Sequence, residues 1–268
     1  MMNSTLAYLD HLAEESRRFE QVLRQTDPAA RVPTCADWTS DDLLWHLTEV
    51  QAFWAGVIEG PVTDDAGVRA VEEAKPERPA DRDELRSLFT STSERLLAGL
   101  SGRDRTTPAW SWHEPDQTVG FTMRRQAHEA LIHRVDAELT AGVPVLPLDA
   151  DLADDGVDEV LRVMWGVPSW ATFYPGDGAV RLLSTDTGRT RLLQPGRFVG
   201  TGPQSGTEFD EPTAVLAEDD SPEPLAEVVG TAAALDRWLW GRGTDGVRRS
   251  GDDSVLLCLD EVVAIGMQ

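Results

Sequence analysis

RRQAHEALIHRVDAE, residues 124–138, is the stretch on which the reading of this chain turns. It falls in a predicted helix from about Phe121 to Ala141, which Gly142-Val143-Pro144 stops. Its centre, His128-Glu129-Ala130-Leu131-Ile132-His133, looks like the H-E-x-x-H zinc motif with one residue too many. Histidines five apart on a helix are rotated by about 140°, so His128 and His133 do not share one ion. Glu129 and His133, four apart, differ by about 40° and stand one turn above the other, so they can bind one metal together. Asp136 lies on the same face, a candidate hydrogen-bond partner for those ligands. An ordinary helix surface pair, or a salt bridge from Asp136 to a helix arginine, is the simpler alternative.

A third ligand must come from another helix. Thr39 or Ser40 starts one, with Asp41 and Asp42 in its first turn, where the helix dipole favours anions. Its apolar stripe is Leu43, Leu47, Val50, Trp54 and Val57, ended by Gly60-Pro61. His46, three after Leu43 and four before Val50, falls on that stripe. An inward polar residue needs a partner, because leaving it unsatisfied costs roughly 1–3 kcal/mol. His46 is the best third ligand by this reasoning, with His11 and His113 as weaker alternatives, and a hydrogen-bonded core histidine as the non-metal reading. Three ligands drawn from His and Glu match catalytic zinc sites, which keep a fourth position open.

The remaining N-terminal elements are helical. Leu6, Leu9, Ala13, Phe19 and Leu23 recur at helical spacing behind possible caps at Asn3 and Ser4, and Asp27-Pro28 ends that run. Residues 63–79 are polar and predict a loop. Leu85, Leu88, Phe89, Leu96 and Leu100 predict a third inward face. A long loop with Trp110, Trp112 and His113 follows over 102–120. Four amphipathic helices predict a four-helix bundle over residues 1–147. Beyond Pro147 the pattern changes: one helix over 149–165, short runs at Val180–Ser184, Arg189–Gln194 and Val255–Leu259 that suit strands, a Thr185-Asp186-Thr187-Gly188 hairpin turn, and a helix from Ala232 to Trp240. Residues 148–268 therefore predict a small α+β domain, making the whole α+β.

Composition narrows the function. A net charge of -23 argues against nucleic-acid binding, which needs a basic surface. No run approaches the ~20 apolar residues that span a bilayer, and Met1 to Asp10 carries no signal-peptide pattern; the expected location is the cytoplasm. Cys35 and Cys258 form no CxxC motif and imply no disulfide framework. Cys258, in an apolar run, is expected in the core; Cys35 precedes a helix start, where a thiol can be acidified.

Several stretches together resemble the mycothiol-dependent maleylpyruvate isomerase family, whose N-terminal part is a DinB-like four-helix bundle. They are VPTCADWT (32–39), DLLWHL (42–47), RRQAHE (124–129), HRVDAE (133–138), ADDGVDE (153–159) and LWGR (239–242). The resemblance covers nearly the whole chain. It implies one metal, usually zinc, on His46, Glu129 and His133, and mycothiol as a thiol cosubstrate acting on a small-molecule electrophile by transfer or by cis–trans isomerisation. Within that frame Arg242 is a candidate clamp for a substrate carboxylate, or else a helix C-terminal cap. Trp110 and Trp112 are candidate walls of the pocket mouth that receives the cosubstrate, or else packing residues. A metal-dependent hydrolase and a non-enzymatic binding protein are the alternatives on the same scaffold. Monomer and homodimer are equally compatible with the sequence.

Overall fold

The computed structural model describes residues 7–60, 62–217 and 223–266. The chain divides into two compact units, residues 1–146 and 147–268. In the first, chain order runs α1 (Tyr8–Leu23), a hairpin of β1 (Arg31–Val32) and β2 (Cys35–Thr39), α2 (Ser40–Glu59), α3 (Asp65–Glu73), α4 (Arg82–Ser101) and α5 (Val119–Thr140). α1 packs along α5 and α2 along α4, while α2–α5 and α1–α4 contacts close the ring of four long helices. The hairpin covers one end of it: Val32 and Cys35 are buried with Phe19, Leu23, Leu43, Leu47, Phe89 and Ala137. Cys35 is thus a core residue.

Two expectations need correcting here. The inward stripe of α1 is Tyr8, Leu12, Phe19, Val22 and Leu23, with Leu9 and Ala13 only half-buried. Glu15 and Ser16 are inward too, paired with Arg134 and Gln51, and these polar insertions blur the periodicity. The expected caps Asn3 and Ser4, with Leu6 and Pro61, lie outside the described residues. The expected loop at 63–79 contains α3, capped by Asp64, whose side chain accepts from the Gly67 N–H at 2.8 Å. None of its residues is fully buried, but Val71 reaches Gly56 of α2, where even a methyl group would meet its Cγ1 at 2.7 Å. A nine-residue helix with no fully buried side chain leaves little hydrophobic signature.

The start of α2 is set by a capping box. Thr39 Oγ1 accepts from the Asp42 N–H at 3.2 Å, and Asp42 accepts from the Thr39 N–H at 2.8 Å. Hydrogen bonds from the Thr39 side chain and backbone lower the Asp42 pKa to about 2. Thr39→Ala is expected to lower stability by about 1 kcal/mol in urea titrations at neutral pH. Because Asp42 has the lower pKa in the folded chain, its contribution is complete above the unfolded value of roughly 4. It is lost as pH falls through about 2. The penalty of the substitution should shrink across that window; a pH-independent penalty would count against the box.

α5 is buried along almost its whole length, yet it carries Arg124, Arg125, Gln126, His128, His133, Arg134, Asp136 and Glu138 among its buried residues. Charged side chains are almost never fully buried unless paired. The pairs along α5 organise the first unit.

In the second unit, α6 (Ala150–Glu159) is capped by Asp149 and continues into one π-helical stretch, Val160–Met164. Then come β3 (Ala171–Pro175), β4 (Ala179–Ser184), β5 (Thr190–Thr201), β6 (Glu208–Leu216), β7 (Pro224–Gly230), α7 (Ala232–Leu239), β8 (Arg248–Gly251) and α8 (Asp253–Ile265). β5 is the spine of a mixed sheet: β6 runs antiparallel along one edge, β4 and β3 share the other, and β7 joins β4 in parallel and carries antiparallel β8. Gly188, at φ 71°, closes the expected β4–β5 turn. Gly156 lets α6 approach α7, since a Cβ there would meet Asp236 Oδ1 at 2.6 Å. Val255–Leu259, expected as a strand, lies in α8. Asp252 accepts from the Ser254 and Val255 N–H groups to start that helix, and Val255, Leu256, Leu259 and Val262 are buried at helical spacing. Cys258 is consequently half-buried, and burial with the nearby Glu261 charge raises its pKa. No helix among the described residues is long and apolar enough to cross a membrane.

Candidate metal centre

Three side chains from two helices meet at Glu129. Its Oε1 lies 3.3 Å from His46 Nε2 of α2 and 3.2 Å from His133 Nε2 one turn along α5. All three ligand atoms lie within 4.8 Å of one another. With zinc bond lengths of about 2.0–2.2 Å, neighbouring corners of a tetrahedron stand roughly 3.3 Å apart. Both separations from Glu129 Oε1 match that edge length. His133 is 3 % exposed, Glu129 14 % and His46 23 %, so an incoming group reaches the cluster from the His46 and Glu129 side.

Each α5 side chain of the cluster is gripped from behind. Asp136 Oδ2 is 2.9 Å from His133 Nδ1, which directs Nε2 at Glu129, and Thr34 Oγ1 donates to Asp136 Oδ1 at 2.6 Å. Arg125 Nη2 donates to Glu129 Oε2 at 2.6 Å. Trp38, just before the cap of α2, sets its ring 4.7 Å from that of His46 and 6.5 Å from that of His133. Without a cation, burial opposes charge on both Glu129 and His133, but their mutual attraction prevails. Together with Arg125 it holds the Glu129 carboxyl well below its usual range, and with Asp136 it raises the His133 pKa to about 9. With His133 neutral, as ligation requires, the Glu129, Asp136 and Arg125 charges sum to minus one. A divalent ion would turn that into plus one, a balance suited to an anionic fourth ligand.

Residues 9–138 match the family model described as "Mycothiol maleylpyruvate isomerase N-terminal domain", and residues 151–257 match "MDMPI C-terminal domain". The chain belongs to the mycothiol maleylpyruvate isomerase family. Among solved structures, a crystal structure of the mycothiol-dependent maleylpyruvate isomerase superposes with a TM-score of 0.58 at 14% identity, over 91% of this chain and 92% of that one. A histidine-to-alanine mutant of it gives 0.59 at the same identity and coverage. The fold is shared at that distance. No curated protein sequence matches the chain.

In this member of the isomerase family His46, Glu129 and His133 come together in the first unit, and Asp136 lies behind His133. Trp110 packs 6.2 Å from Trp54 and 6.0 Å from Phe53, and Trp112 stands against Phe121 and His113. Arg242 is buried in the second unit, where its guanidinium donates to the Trp240 carbonyl at the end of α7. His128 is buried beside Tyr8, and His113 stacks on Phe121. Sequence reasoning missed Thr34, Trp38 and Arg125. Arg125 had a signal, four residues before Glu129 on the same helix face; Thr34 and Trp38 arrive through the hairpin, which no periodicity marks. Asp136→Ala is expected to weaken metal binding by about 10–100-fold, measured by competition with a chromogenic chelator. Unchanged affinity would leave Asp136 as a purely structural pair.

Proposed function

We propose that this protein is a metal-dependent enzyme that activates a low-molecular-weight thiol, mycothiol by family, for attack on an electrophilic carbon. The observation that carries the reading is the approach of Glu129 Oε1 to both His46 Nε2 and His133 Nε2. A divalent metal, zinc by ligand type, would supply a Lewis-acidic centre that holds the thiol as its nucleophilic thiolate. His46, Glu129 and His133 would hold that ion. Asp136 accepts from Nδ1–H and so selects the neutral tautomer whose Nε2 is left for the ion once the ion displaces its proton, and Trp38 packs on the His46 flank.

Chemistry at the substrate follows from thiolate addition. A C–S bond forms at one carbon of a conjugated cis alkene while the π electrons move onto the carbonyl oxygen. The former double bond rotates, the electrons return, and the C–S bond breaks to release the thiolate and the trans product. Isomerisation of a maleylpyruvate-like substrate is the reading favoured by the relatives' names. If the substrate carries a leaving group instead, the same addition ends in a thiol conjugate. The test is to incubate metal-loaded protein with mycothiol and either a cis-enone acid or an alkylating electrophile, following alkene absorbance and conjugate mass. Turnover that needs no thiol would point to hydrolysis by activated water. Metal binding without any product would point to a binding protein.

A further inference from the structure

The two oxygens of Glu129 have different partners. Oε1 faces both histidine nitrogens, whereas Oε2 accepts from Arg125 Nη2 at 2.6 Å. The distinction matters for coordination number, because a carboxylate can ligate through one oxygen or two. With two, the protein itself would supply four donors and fill a tetrahedral shell. With one, a position stays open. The Arg125 side chain is 6 % exposed and sits one helical turn before Glu129, so its reach to Oε2 is fixed by α5. An arginine holds a carboxylate oxygen through a planar, permanently charged donor and does not ligate metals itself.

Resting on the metal-site reading above, we propose that Arg125 is a positioning residue that limits coordination: by engaging Oε2 it restricts Glu129 to one-oxygen ligation and reserves the fourth position for a thiolate. Its charge adds to the attraction for that anion.

Cobalt(II) serves as the probe, since its visible absorption is strong in four-coordinate sites and weak at higher coordination. Wild-type protein, Arg125→Leu and Arg125→Lys would be loaded with cobalt(II), checked for fold by circular dichroism, and titrated with 2-mercaptoethanol. In wild type, thiol should bring up a sulfur-to-cobalt charge-transfer band that saturates. Arg125→Leu should keep its cobalt, show altered visible bands before any thiol is added, and require about tenfold more thiol or beyond. Arg125→Lys, which keeps a charged donor toward Oε2, should lie close to wild type. Identical bands and midpoints in wild type and Arg125→Leu would overturn the proposal, as would loss of cobalt from a folded Arg125→Leu. If Arg125→Leu does not fold, the lysine variant decides: bands unlike wild type from a folded Arg125→Lys also overturn it. Failure of wild-type protein to take cobalt is a separate outcome, which removes the metal site itself and the proposal with it.

Discussion

His46→Ala should leave the bundle folded and empty it of metal. His46 is the most exposed of the three proposed ligands, and its polar contact is the 3.3 Å approach to Glu129. Removing it leaves Glu129 paired with His133 and Arg125, so no buried charge is stranded. The metal-free melting temperature should therefore move little. Metal affinity should fall by more than about 100-fold, because groups that merely orient ligands already account for about 10–100-fold. Thiol-dependent turnover should drop to background with it. Plasma mass spectrometry on purified protein and thermal melts with and without chelator separate these effects. Glu129→Gln makes the contrast: it also removes metal, but it strips His133 and Arg125 of their shared carboxylate and should lower the melting temperature clearly. Near-stoichiometric metal retained by folded His46→Ala would end the ligand assignment.

What could be read from the sequence follows from how each contact is made. Glu129, His133 and Asp136 share one helix face, where a spacing of three or four residues fixes geometry. His46 needed one further step, from an apolar stripe to the inside of a bundle. Thr34 and Trp38 depend on a hairpin of strands two and five residues long whose burial comes from Val32 and Cys35, too short for alternation to declare itself. The same limit hid most of the sheet. β8 is exposed and polar and β6 opens on the largely polar run Glu208–Glu211, whereas Val180–Ser184 on the covered β4 was legible. Val255–Leu259 misled because five apolar residues in a row suit a strand or a helix equally; Asp252, the residue that decides, stands outside the run.

Arg134→Met should destabilise the first unit by about 3–5 kcal/mol. Arg134 is 2 % exposed and donates to Glu15 Oε2 at 2.6 Å, to Glu138 Oε2 at 2.8 Å and to the Leu146 carbonyl at 3.0 Å. It joins α1 to α5 and to the segment that leaves α5. Replacing it keeps apolar volume but leaves Glu15 without its guanidinium. Glu138 retains Arg18 Nε at 2.8 Å and the Leu146 N–H at 3.1 Å. Breaking a buried pair from one side costs about 3–5 kcal/mol, whereas replacing both partners with apolar groups is often close to neutral. Arg134→Met/Glu15→Leu should therefore recover much of the loss in urea titrations. The pH dependence gives an independent check. Burial already raises the Glu15 pKa against the opposing pull of Arg134, and without that pull the folded-state value rises further above the unfolded one. A carboxyl with a raised folded pKa is penalised in full above that value, and the penalty fades as pH falls from it to the unfolded value. The deficit of Arg134→Met should be largest near neutrality and shrink as pH falls towards the ordinary carboxylate range. A double variant no more stable than Arg134→Met, together with a deficit flat in pH, would mean that Arg134 acts through packing and not through its charge.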